Sequence, residues 1–275
     1  MPETRLDPSR GRVLPAAVSP LTARLVAGPP HRGAVVGAHR YGVYVEVAGT
    51  VLPVLARDAM ALPTALRLAV TAEQARWVVR AGEPVEVGGG SVRLPGLTVR
   101  GVRSWRPSRV RPGPRGGPGE AVALLQGAVD EGAGWLLEPV RVAVTSTDPA
   151  RAVAALVGRG RGLTPSGDDA LAGALLAARA VGSERAVPLA GAVRRRLATT
   201  TAVSAALLDA AADGWAAPEA VALVDAAADG HAHAAEALLP PVLAAGHDSG
   251  RALVVGVAAA LAALAPPTRT GRSAA

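Results

Sequence analysis

Through the first hundred residues, apolar and polar positions alternate with a period of two. In Tyr41-Gly-Val-Tyr-Val-Glu-Val47, the residues Val43, Val45 and Val47 share one face and Tyr44 and Glu46 the other, which predicts a half-buried strand. Ala48-Gly-Thr50 then turns the chain into Val51-Leu-Pro-Val-Leu55, the pattern of a hairpin. Val85-Glu-Val87, Ser91-Val-Arg-Leu94 and Leu97-Thr-Val-Arg-Gly-Val102 repeat the short-strand pattern around glycine turns. One helix interrupts them: Thr71-Ala-Glu-Gln74 is a capping box leading into Ala75-Arg-Trp-Val-Val79. Residues 21–103 therefore read as a β-rich domain, a curled sheet or barrel. Residues 1–20, rich in Pro, Arg and Ser, read as a flexible arm.

Residues 104–119 are dense in Pro, Gly and Arg without periodicity and read as a linker or exposed loop. Beyond them the pattern becomes helical and alanine-rich. Helices are expected over 120–130, 150–157 (with Asp148 capping and Pro149 as its first residue), 168–181, 187–197, 201–213, 218–228, 231–239 and 249–264. Residues 120–266 form a helical domain, and 267–275 a flexible tail. The fold class is α+β, a β-rich domain followed by an all-helical one.

Composition changes this picture mainly by exclusion. The 275 residues contain no Cys, which removes disulfides, thiolate metal sites and cysteine nucleophiles. They also contain no Lys, which removes a pyridoxal phosphate Schiff base and the P-loop lysine. The net charge of +7 would ordinarily point to nucleic acid. Lys, Asn, Ile and Phe are all missing while Ala, Arg, Gly, Pro and Val abound, the usage of a GC-rich genome, so the charge is discounted. Four Trp and two Tyr also offer few stacking platforms for single strands. The N-terminus lacks the apolar core of a secretory signal, and the longest apolar run, 252–266, is too short to span a bilayer. A cytoplasmic protein without membrane contact is expected.

The densest chemistry lies at Gly158-Arg-Gly-Arg-Gly-Leu-Thr-Pro-Ser-Gly-Asp-Asp169. Ser166 and Asp169 have capping-box spacing; alternatively Thr164 caps and Pro165 is the first helical residue. Either way Gly158, Gly160, Gly162 and Gly167 would bring backbone N–H groups to a helix N-terminus, an anion site. The bland reading is a tightly packed loop-to-helix junction. Asp168 and Asp169 tip the balance toward function, because capping needs one carboxylate and the pair would suit a divalent cation such as Mg2+ or a substrate amide. A second stretch, Gly246-His-Asp-Ser-Gly250, echoes the first: Ser166-Gly167 precedes Gly173, and Ser249-Gly250 precedes Gly256, at the same offset of seven. A glycine two turns into each helix lets backbones approach closely, so the two helices are expected to pack with converging starts. His247 is the titrating group available there for acid–base work, or else it caps a turn. His231, His233 and Asp229 resemble a metal tract superficially and read as a solvated helix start. Thr199-Thr-Thr201 with Ser204 opens another helix, for which capping accounts.

Gly160-x-Gly-Leu-Thr-Pro-Ser-Gly-Asp-Asp169, the Thr200…Ser204 helix start and Gly246-His-x-Ser-Gly250 together resemble the oxamate carbamoyltransferase subunit AllH family, over most of residues 21–264. Arg161 stands where that family usually has proline, and Arg251-Ala252 where an acidic residue often follows the second Ser-Gly. The resemblance implies a subunit working beside an FdrA-like subunit and a further partner in allantoin and purine nitrogen breakdown. There a carbamoyl group moves between oxamate, or a related amide, and phosphate through carbamoyl phosphate.

Such a transfer needs a phosphate clamp, donors for the carbamoyl oxygen and a base near the attacking nitrogen. The amides of the glycine loop with Arg159 or Arg161 suit the first role, Thr164 and Ser166 the second, and Asp168, Asp169 and His247 the third. Thr200, Ser204, Ser249 and Gly250 complete the expected substrate-binding set. Two other classes compete: a non-catalytic subunit that binds ligand or scaffolds the complex, and a nucleic-acid binder using the arginines of 103–115.

Overall fold

The computed structural model describes residues 11–113, 117, 119–129 and 132–264. The chain divides into two compact units, Met1–Ser108 and Arg109–Ala275.

In the first unit β1 (Arg12–Val18), β2 (His31–His39), β3 (Gly42–Val47), β4 (Thr50–Leu55), β5 (Leu66–Leu68), β6 (Pro84–Gly88), β7 (Ser91–Leu94) and β8 (Leu97–Ser104) close into a barrel. The strands follow the order β1-β5-β4-β3-β2-β6-β7-β8 around it. β1 with β8 and β4 with β5 are parallel; the other neighbours are antiparallel. The alternation is realised in β3, where Val43, Val45 and Val47 enter the barrel core while Glu46 is exposed. Ala48 (φ 50°) and Gly49 (φ 75°) both take left-handed backbone, the two-residue turn whose twist matches the β3–β4 hairpin.

Two expectations fail here. Residues 12–18 are not an arm but a barrel strand, paired from Arg12↔Leu97 to Val18↔Ser104 along β8. Pro15 and the neighbouring arginines mask the inward Leu14 and Ala16, which are buried. The Thr71–Gln74 capping box does form, with Gln74 N donating to Thr71 Oγ1 at 3.4 Å and Thr71 N to Gln74 Oε1 at 3.0 Å. Its helix nevertheless stops at Ala75, because Arg76 turns left-handed (φ 48°) ahead of Trp77-Val-Val79, three residues of modest helix propensity. A further single turn of helix, α1 (Ala23–Ala27), precedes this α2 (Ala72–Ala75).

The second unit opens on a short ribbon of β9 (Ser108–Arg109) and β10 (Trp215–Ala216). Its helices are α3 (Gly119–Gly127), α4 (Leu137–Thr145), α5 (Ala150–Leu156), α6 (Ser166–Ala180), α7 (Ala186–Arg194), α8 (Ala202–Ala212), α9 (Pro218–Ala228), α10 (Ala232–Leu243) and α11 (Ser249–Leu264). Short 3-10 turns cover Gly134–Leu136 and Leu197–Thr199. α4 was not anticipated, since Pro139 hides it; a proline in the first helical turn costs no hydrogen bond. α10 runs on through Pro240 and Pro241, held by buried Leu239 and Val242. In the expected linker, Arg109 stacks on Trp215 (5.0 Å) and donates to Asp213 O, while Arg111 pairs with Asp225 and Asp229, both at 3.1 Å. The arm residues 1–10, the linker residues 114–116 and 118, and the tail 267–275 lie outside the described residues. Among the described residues no helix is long and apolar enough to cross a membrane.

The charge is unevenly divided. Residues 1–108 hold fourteen Arg against seven acidic residues; residues 109–275 hold fifteen of each. Any anion site in the second unit therefore depends on local donors rather than on a broad positive field.

Candidate functional site

The loop that enters α6 bends through Gly158 (φ 74°), Gly160 (φ 129°) and Gly162 (φ 89°), a backbone that side-chain-bearing residues resist. Space is limiting as well: a Cβ on Gly158 would stand 2.8 Å from Thr199 O, and one on Gly160 2.6 Å from Ser166 N. Neither expected side-chain cap forms. Pro165 is the N-cap, and its carbonyl accepts Asp168 N at 2.9 Å and Asp169 N at 3.1 Å, while Gly167 N donates to Arg159 O at 2.8 Å. The Thr164 hydroxyl meets Ser249 Oγ at 2.9 Å instead. The amides of the helix's first turn are thus spent internally. Those of Gly160, Arg161, Gly162, Leu163, Thr164 and Ser166 make no hydrogen bond to a described residue. The free donors lie in the loop, ahead of the helix.

The two aspartates have opposite surroundings. Asp168 is 1% exposed; its Oδ1 accepts from Gly158 N at 2.8 Å, and its Oδ2 from the hydroxyls of Thr200 and of Ser204 (2.7 Å). Asp169 is partly buried, but its Oδ2 is fully enclosed and has no hydrogen-bond partner among the described residues. Burial pushes its pKa up to about 7; the neighbouring Asp168 adds to the rise, and the hydroxyls of Ser249 and Thr164 hold it back. Desolvation wins over hydrogen bonding, so at neutral pH both protonation states are populated.

The helix echo is realised. α6 and α11 pack backbone to backbone: a Cβ on Gly173 would overlap Leu253 O, and one on Gly256 would overlap Ala170 O. Their starts converge, with Thr164 Oγ1 2.9 Å from Ser249 Oγ. Gly250 is a packing glycine too, since a Cβ there would overlap Val242 O. Beside the junction a cavity of about 270 Å3 is lined by Trp135, Leu136, Ser166, Asp248, Arg251 and Ala252, among others. The Arg159 guanidinium lies 5.0 Å from the centre of the ring of Trp135, one of the lining residues.

Thr164, Ser166, Asp169 and Ser249 thus meet at the two helix starts, and Gly158, Gly160, Arg161, Gly162 and Gly167 belong to the loop beside them. Thr200 and Ser204 reach the site through Asp168. His247 points away: its side chain is 96% exposed, with Nδ1 2.9 Å from Asp248 Oδ1. His233 is likewise fully in solvent. Trp135, Asp248 and the lining role of Arg251 escaped the sequence reading. Trp135 is remote in sequence from both motifs and carries no pattern of its own; a tryptophan 42% exposed is visible only in three dimensions.

The aspartate pair offers a divalent cation few open positions. Both oxygens of Asp168 already accept hydrogen bonds, and no group of three His, Cys, Asp or Glu among the described residues is arranged to hold a metal. The site offers amide donors, hydroxyls, an arginine-capped aromatic wall and one carboxyl poised near neutrality.

Neither the curated proteins nor the solved structures contain a match to this chain. Residues 156–261, the stretch that holds the loop, both helix starts and the Gly173–Gly256 contact, match the model of the oxamate carbamoyltransferase subunit AllH family.

Proposed function

We propose that this chain is a subunit of an oxamate carbamoyltransferase-type complex and that the junction of α6 and α11 binds the group being transferred. The family match over residues 156–261 supports the complex, and the site's chemistry supports the step. The unbonded amides of 160–164 and Ser166 take the phosphate oxygens, as preorganised dipoles do without reorganising. Of the hydrogen-bonded pair Thr164 and Ser249, the hydroxyl that accepts from the other turns its proton to the carbamoyl oxygen. The cavity beside Trp135 and Arg251 receives the amide partner.

Phosphorolysis of a carbamoylated amide forms a bond from phosphate oxygen to the carbamoyl carbon and breaks that carbon's bond to the amide nitrogen. The leaving nitrogen needs a proton, and the reverse reaction must give one up. Asp169, with its carboxyl near pKa 7, serves both directions as acid and as base. This carboxyl, with its Oδ2 enclosed and unpartnered and two hydroxyls beside it, is the observation that carries the reading.

The test is phosphorolysis by the chain co-purified with its partner subunits. Asp169→Asn is expected to lower kcat by about 100-fold, the usual loss for a removed general acid, with carbamoyl phosphate still bound. Unchanged turnover would exclude Asp169 from the chemistry. A ligand-binding subunit whose partner performs the transfer is the second reading; the solvent position of the His247 side chain favours it. That reading holds if the chain alone binds carbamoyl phosphate while Asp169→Asn leaves turnover intact.

A further inference from the structure

Three consecutive threonines lie against the loop 158–166, and two of them hold it, at Gly158 and at Leu163. Thr199 presents its carbonyl 2.8 Å from where a Cβ on Gly158 would stand. Thr200 donates its hydroxyl to Asp168 Oδ2, and the other oxygen of that carboxyl accepts Gly158 N at 2.8 Å. Thr201 donates to Leu163 O while its Oγ1 accepts Ser204 N at 3.1 Å as the N-cap of α8. Ser204 gives Asp168 Oδ2 a second donor at 2.7 Å. The loop is therefore anchored at its first residue and again at Leu163. Between those anchors the exposed residues 159–163 carry most of the unbonded amides.

We infer that Asp168, Thr200, Thr201 and Ser204 are positioning residues: they mount the amide-lined loop on the start of α8 and touch no ligand. This deepens the ligand-binding reading above and rests on it. A ligand cannot reach the Asp168 carboxylate without breaking an internal bond, since the residue is 1% exposed and both oxygens are taken. The adjacent aspartates divide the work. Asp168 shapes the loop, and Asp169 handles the proton. A loop held in its binding geometry loses little entropy when the anion arrives, so the mount sets affinity without contributing a contact.

Thr200→Val preserves the shape and removes the hydroxyl; Thr200→Ser restores it. Full-length variants would be compared by exchange of the Gly158 amide, by trypsin cleavage after Arg159 and Arg161, and by titration with inorganic phosphate and carbamoyl phosphate. Loss of one hydrogen bond to a buried carboxylate predicts about tenfold faster exchange and cleavage, and about tenfold weaker binding of both ligands, in Thr200→Val. Thr200→Ser should recover all three readouts, with the urea midpoint reporting whether each variant remains folded. Weaker binding with unchanged exchange and cleavage would overturn the inference, because Thr200 would then contact the ligand directly. Unchanged binding with a loosened loop would also overturn it. If the unmodified chain binds neither probe, the functional reading falls with the ligand part of the inference, while exchange and cleavage still decide whether the mount exists.

Discussion

At the start of α6 the chain arrives through three glycines of positive φ and leaves a run of loop amides unbonded. At the start of α11 it arrives through one, Gly246 (φ 63°), and Gly250 N closes back onto Ala245 O at 3.0 Å. Both starts read Ser-Gly, and both helices place a glycine seven residues after that serine. The shared part of the pattern turns out to be architectural: Gly173 and Gly256 bring the helix backbones into contact. Only the first start adds chemistry, in its loop and its aspartates. The second contributes one hydroxyl, Ser249, and otherwise presents His247 and Asp248 to solvent or to the cavity. A repeated motif thus records a packing requirement more faithfully than a repeated function.

That contrast yields a graded set of expectations. The largest effect falls on Asp169. An aspartate with a folded pKa near 7 and an unfolded one near 3.8 loses stability as pH rises between those values, by the order of 4 kcal/mol. Asp169→Asn should remove that slope. Urea unfolding would show the variant more stable than the native chain at about pH 8, with the gap closing toward about pH 4; a gap independent of pH would show that folding does not raise the Asp169 pKa. Next comes Gly256→Ala, which forces a methyl into Ala170 O and should cost about 3 kcal/mol by the same measurement. A cost below that of a surface substitution would mean that the helices separate easily. Gly246→Ala requires left-handed backbone of an alanine and should cost about 1 kcal/mol. Smallest is His247→Ala, at a fully solvated side chain: stability within about 0.5 kcal/mol and turnover unaltered. A large loss of turnover there would restore an acid–base role to the second start.

Elements whose pattern repeats several times were legible in the sequence. β3 carries strict alternation and β4 a continuous apolar run across a short turn, and α9 and α11 have the bounds that their pattern indicates. The segments missed are those where one residue type masks the period, Pro15 in β1 and Pro139 in α4, or where the strand is too short to show one, as in β5. The candidate site was half legible. Unusual composition drew attention to the loop and to both aspartates. The division between Asp168 and Asp169 was not available, because adjacent carboxylates are alike in sequence and acquire different roles only when α8 arrives from more than thirty residues away. The Trp135–Arg159 wall is similarly a product of folding.

The contact between Gly173 and Gly256 has a consequence for how this chain can drift. Every single-base change of a glycine codon that alters the residue adds a side chain or stops translation. Here each glycine faces the partner helix's carbonyl rather than a replaceable side chain, so no second substitution can make room. The two positions are closed to stepwise change in either order. Distant relatives should therefore be recognisable by a ruler more than by chemistry: two glycines, each seven residues past a helix-opening serine, whatever stands between.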